Sequence, residues 1–186
     1  MRPSLLKKLA AVLLLVGLAL PYGCDARPVT VLWYSWDDLA TLFTIGVPVL
    51  AALAYGLHNL IPALARFHER NGAGLHGIFR AVFFLLAGAY LMRGLEGKAD
   101  DFPFWLVTLL FCGGLLWYQQ RRGTKAQRLP LLLLTTVGLP AVYYATAFLD
   151  KGGLQYGGWV FTVGYVLGVA AEVLGLRSAP PVMHAG

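Results

Sequence analysis

Three ionisable side chains, His58, Arg80 and Glu172, fall inside long apolar stretches of this 186-residue chain. Such a group near the centre of a membrane-spanning helix costs roughly 2.5–3.5 kcal/mol to insert, so each is a candidate for proton or ion chemistry. Glu172 is the most informative. Gly164 and Gly168 precede it by eight and four residues and share its helical face. A Gly-x-x-x-Gly spacing lets a second helix approach closely, which puts the carboxylate at a helix–helix contact with His58 or Arg80 as its expected partner. The competing expectation is a glutamate that snorkels to the interface, or a pair that only joins helices.

A second pattern concerns the backbone. Thr44, Gly46 and Pro48 recur as Thr136, Gly138 and Pro140, in two strings of the form Thr-x-Gly-x-Pro. Proline has no N–H, so Pro48 cannot donate to the carbonyl of Thr44, nor Pro140 to that of Thr136. Each segment is expected to leave a free carbonyl beside a threonine hydroxyl, a pair suited to a cation or a hydroxylated solute. If the chain is two inverted halves of three helices, these are their middle helices, where a transporter-type midplane site would lie.

Catalytic motifs are missing. The chain contains no Gly-x-Ser-x-Gly, His-Glu-x-x-His or Gly-rich phosphate loop. Its serines, Ser4, Ser35 and Ser178, all fall outside the apolar stretches. Cys24 and Cys112 are its two cysteines, too few for a disulfide framework or a multi-cysteine metal site. Haem across a bilayer needs histidines on facing helices, and His58 alone sits at depth. No catalytic residue, metal or cofactor is assigned. His68 and His76 flank a basic segment, Arg66 to Gly77, expected to be a solvated loop. If that segment were an enzyme site, His68, His76 or Glu69 would converge there with another polar group.

The elements that position these residues follow from composition. Hydrophobic residues make up 58% of the chain and charged ones 13%, about half the charged share of an ordinary soluble domain. The apolar residues come in blocks of roughly spanning length for a bilayer core about 30 Å thick. Spans are expected near 5–22, 39–64, 77–94, 103–119, 129–149 and 157–176. The fold class is thus an all-α polytopic transmembrane bundle of six helices forming one integral membrane domain over 1–186. The lipid bilayer is its expected partner, and a glycine-lined face through Gly164 and Gly168 would serve other membrane subunits. A net charge of +6 is not gathered into a basic soluble face, so nucleic acid is not expected.

Charge sets the orientation. With the N-terminus in the cytoplasm, Arg2, Lys7, Lys8, Arg66, Arg70, Arg80, Arg121, Arg122, Lys125, Arg128 and Arg177 lie inside; Arg27, Arg93, Lys98 and Lys151 lie outside. That is the asymmetry of the positive-inside rule, and it puts both termini in the cytoplasm. Trp33, Trp36, Trp105, Trp117 and Trp159 fall near span ends, as interfacial anchors do. Short loops and the absence of an Asn-x-Ser/Thr site favour a bacterial inner membrane.

The first block is ambiguous. Residues 1–23 have the basic, apolar and small-residue zones of a secretory signal, and removal would leave five helices. The segment before Cys24 resembles a bacterial lipoprotein box in part, with Pro21 where that pattern has leucine. The preferred expectation is a retained helix whose lysines snorkel to the cytoplasmic surface. On function, the leading expectation is a non-enzymatic accessory, assembly or structural subunit, with a filled interior and an exposed glycine-lined face. A carrier would instead bring the two proline segments together around a polar midplane cavity.

Overall fold

The computed structural model describes residues 3–21, 38–39, 42–96, 102–122, 124–151 and 155–177. They form six α-helices: α1 (Pro3–Ala19), α2 (Val47–Leu60), α3 (Pro62–Glu96), α4 (Phe102–Gln120), α5 (Lys125–Lys151) and α6 (Tyr156–Arg177). A π-helical turn, Leu42–Gly46, leads into α2. The chain is an all-α bundle, and four segments are long and apolar enough to cross a membrane: Leu42–Leu60, Pro62–Met92, Phe102–Gln120 and Tyr156–Arg177. α1, with 17 residues, and the apolar Gln127–Val142 part of α5 are shorter.

Two boundaries differ from the expected spans. The second apolar block breaks at Ile61, whose backbone is extended (φ −109°, ψ 108°), and Pro62 opens α3. A residue before proline is pushed out of the helical region, and proline is tolerated in the first helical turn. The expected loop from Arg66 to Gly77 is therefore helical, the first turns of a 35-residue α3. At 1.5 Å per residue that helix outruns an apolar core of about 30 Å by roughly 20 Å.

α5 is the axis of the bundle. From Leu129 to Leu139 every residue is buried, as expected of a helix apolar on all sides. One core, including Leu14, Ala52, Tyr55, Leu133 and Phe161, lies between α5 and the group α1, α2, α6. A second, with Phe83, Tyr90, Trp105, Cys112 and Leu132, lies between α5 and the pair α3, α4. Thr124 caps α5 reciprocally: its N–H donates to Gln127 Oε1 at 2.9 Å, and the Gln127 N–H donates to Thr124 Oγ1 at 3.4 Å.

α1 and α6 share the most extensive interface, and glycines make it. A Cβ on Gly164 would stand 2.8 Å from the Leu14 backbone nitrogen, and one on Gly17 would stand 2.8 Å from Phe161 Cα. Gly157 lies just as close to the Leu20 backbone. The Gly164 and Gly168 face expected to receive another subunit is thus occupied by this chain's own first helix.

The aromatic anchors divide. Trp117 and Trp159 are exposed, and the Arg121 guanidinium lies 4.2 Å over the Trp117 ring. Trp105 is instead buried against Tyr90, its ring centroid 5.2 Å away. Cys24, Trp33, Trp36 and Asp37 lie outside the described residues.

Candidate functional site

Alternating helix directions bring the start of α1, the end of α2, the starts of α3 and α5 and the end of α6 to one end of the bundle. There Lys7, His58, His68, Glu69, Gln127 and Glu172 line a cleft of about 300 Å³, completed by Pro130, Gly175 and Leu176. This is the end rich in arginine and lysine.

Glu172 is 2% exposed and does not snorkel. Lys7 Nζ donates to its Oε2 at 2.6 Å, and the lysine side chain is 26% exposed. The partner is neither His58 nor Arg80, and Lys7 reaches inward instead of up to the surface. Lys7 stands on the buried stripe of α1, one turn before Ala10 and Ala11 and two before Leu14. The pair joins α1 to α6, and removing the lysine alone would leave the buried carboxylate uncompensated, at a cost of about 3–5 kcal/mol.

The small Gly168 admits Tyr55, whose hydroxyl would lie 3.3 Å from a Cβ placed there. That hydroxyl faces the Glu172 carboxylate and hydrogen-bonds to it, without the close geometry of the Lys7 contact. Glu172 lines the cleft, and Tyr55 lies behind it, outside the lining.

Across the Ile61–Pro62 break, His58 and His68 meet. Their Nδ1 atoms are 3.0 Å apart, and their rings stack with centroids 5.0 Å apart at 23°. One ring must donate and the other accept, so the contact holds one shared proton. His68, expected as a solvated loop residue, is half-buried because its segment is helical. Glu69 joins the cleft beside it, whereas His76 is buried elsewhere, at 6% exposure. Arg80 is exposed and packs over Phe84, 5.7 Å from the ring centroid. Among the described residues no three His, Cys, Asp or Glu converge as a metal centre requires.

The two proline segments lie deeper and are sealed. Tyr90 donates its hydroxyl to the Thr44 carbonyl at 2.9 Å, filling the place left by the missing Pro48 N–H. Thr136 has no accessible surface, and its hydroxyl donates back to the Leu132 carbonyl at 3.0 Å. Thr135 does the same to Leu131 at 2.7 Å. Gly46 and Gly138 are buried, Pro48 is buried and Pro140 half-buried. The Tyr165 hydroxyl occupies the space where Gly138 would carry a Cβ. Helices α2 and α5 do meet, but a tyrosine and returning threonine hydroxyls fill the ground where a polar cavity was expected.

Lys7, Tyr55 and Gln127 are the residues that sequence reasoning missed. The small-residue stripe following Lys7 is the signal that marks it; nothing comparable distinguishes Tyr55 or Gln127. Compared with protein-family models, with curated proteins and with solved structures, the chain matches none.

Proposed function

We propose that this membrane protein works through the cleft at its basic end, binding a small polar ligand and presenting it with acid–base groups. The supporting observation is the convergence of Lys7, His58, His68, Glu69 and Glu172 from four helices on one cavity. Isolated structural ion pairs do not need a cavity. In this reading the termini and the cleft face the cytoplasm of a bacterial cell across its inner membrane, as the distribution of arginine and lysine favours. α1 is retained, since Lys7 belongs to the cleft. Carriage through the midplane is disfavoured by the sealed proline segments.

Thermal unfolding of the detergent-solubilised protein, followed by tryptophan fluorescence over a panel of polar solutes and lipids, tests this. At least one ligand class should raise Tm in the native protein and fail to do so in Gly175→Phe. A Cβ at Gly175 lies 3.5 Å from Lys7 Nζ, so the ring fills the cleft. A shift that survives Gly175→Phe, or none across the panel, defeats the proposal.

A second reading, an accessory or assembly subunit of a membrane complex, rests on α4. Gly113 and Gly114 are exposed with nothing within 4 Å of a Cβ at either, beside exposed Leu110, Phe111 and Trp117. Each glycine in a helix interior costs about 1 kcal/mol relative to alanine, a cost that close approach of another helix offsets. Purification in mild detergent should then yield a constant companion protein. A strictly solitary monomer rules this reading out.

A further inference from the structure

We propose that the seam between α3 and α5 at the basic end binds an anionic phospholipid, its phosphate held between the guanidiniums of Arg80 and Arg128. The site is separate from the cleft and does not depend on it. Arg80 sits inside an apolar stretch, yet neither Glu172 nor the cleft lining uses it. Its side chain is exposed, and its guanidinium lies against the Phe84 ring. Among the described residues no carboxylate pairs with it.

Helix packing brings the second cation. α3 and α5 are extensive neighbours, and Phe79 of α3 packs against the core that contains Leu129 of α5. Arg80 and Arg128 adjoin these two residues in sequence, and their guanidiniums are close enough for their charges to repel each other. Arg128 is held in place by its Nε, which donates to the Arg122 carbonyl at 2.9 Å. A phosphate between the two cations turns that repulsion into attraction. Guanidinium N–H groups also match phosphate oxygens in geometry, often two at a time.

The charge around the seam has one sign. No Asp or Glu occurs from residue 70 to 95 or from 102 to 149, and at this end Glu69 and Glu172 both line the cleft. Arg121 and Arg122, just beyond α4, add to the positive field. Basic pockets between helices at the cytoplasmic side are suited to anionic headgroups. The ammonium of a zwitterionic headgroup would meet arginines here and no carboxylate.

A lipid also needs room for its chains. Arg80, Phe84 and Gly88 follow at four-residue steps and share one stripe of α3. Phe84 is exposed, and nothing lies within 4 Å of a Cβ built on Gly88. From the basic end inward, the stripe offers a cation, a ring and open space, the order of headgroup, glycerol and acyl chain.

The test is native mass spectrometry of the full chain released from nanodiscs containing equal phosphatidylglycerol, phosphatidylethanolamine and phosphatidylcholine. Phosphatidylglycerol should be retained over both others. The attraction of one arginine to an anionic headgroup predicts about a fivefold loss of that preference in Arg80→Gln and again in Arg128→Gln. Arg66→Gln and Arg70→Gln, nearer the start of α3, should leave it unchanged. Arg80 is exposed, so Arg80→Gln carries the test if Arg128→Gln does not fold. Equal retention of the three lipids, a preference unchanged in Arg80→Gln, or the same loss in Arg66→Gln and Arg70→Gln overturns the proposal. Displacement of the lipid by free glycerol phosphate, which has no chains to lie along Phe84 and Gly88, also overturns it. In thermal unfolding, stabilisation by phosphatidylglycerol should survive Gly175→Phe and disappear in Arg80→Gln; such a shift belongs to the seam and does not count against the cleft.

Discussion

The midplane and the basic end of this bundle place their polar groups differently. At the midplane, Tyr90 answers the Thr44 carbonyl and the Leu131 and Leu132 carbonyls answer the two adjacent threonine hydroxyls, while the Tyr165 hydroxyl is buried without a partner. At the basic end, Lys7 and Tyr55 both reach the Glu172 carboxylate, beside a cleft lined by charged and polar side chains. An unsatisfied buried polar group costs about 1–3 kcal/mol; the midplane closes over its polar groups, whereas the basic end keeps charged and polar side chains beside a cleft. Polar residues at membrane depth do not by themselves indicate a site.

The largest effect should come from Lys7→Met, which strands the buried carboxylate and should cost about 3–5 kcal/mol in SDS or thermal unfolding of the micellar protein. Adding Glu172→Leu should recover most of it. A Lys7→Met protein of native stability would show that the pair does not hold α1 to α6.

Next is Gly164→Leu. Its side chain meets the backbone of α1, which cannot yield as a side-chain tip can, so a loss of roughly 1–3 kcal/mol from overpacking is expected. Gly113→Leu on the open face of α4 serves as the control, and its unfolding curve should overlay that of the native protein.

The two proline segments should then part company. Tyr90→Phe removes the donor to the Thr44 carbonyl and should cost about 1 kcal/mol or somewhat more. Tyr165→Phe deletes a buried hydroxyl that has no partner and should be neutral or slightly stabilising. Equal losses for both would mean that the second kink uses its tyrosine as the first does.

His68→Gln should be the mildest, changing stability by no more than about 0.5 kcal/mol, as for a half-exposed residue outside the core. On the proposed reading of the cleft, its effect is on ligand binding. A large destabilisation would recast the stacked histidines as a structural clamp across the Ile61–Pro62 break.

Much of the site was legible residue by residue. Glu172 and His58 were marked by the cost of polarity at depth, and Glu69 and His68 by the requirement that an enzyme-like site gather them with another polar group. Their grouping was not. Arg80 met the same depth criterion and points to the exterior, because a criterion of depth contains no rotational phase. His68 was misread as a loop residue since the polar segment 66–77 carries no apolar periodicity, yet Pro62 starts a helix that runs through it. The Gly-x-x-x-Gly spacing correctly announced close packing, but the partner it announced turned out to be α1.

The amino-acid sequence alone determined the class of the protein: an all-α membrane bundle, with its charge asymmetry and the two proline segments. These follow from hydropathy, backbone hydrogen bonding and proline chemistry, which act locally along the chain. Only the tertiary structure decided that Lys7, 165 residues away in sequence, meets Glu172, that two tyrosines seal the midplane, and that a cleft opens at the basic end. Those outcomes depend on which helices become neighbours and on the rotation of each about its axis. Lipid-soluble helices are apolar on nearly every side, so a hydropathy pattern cannot specify that rotation; glycine contacts and one buried ion pair do.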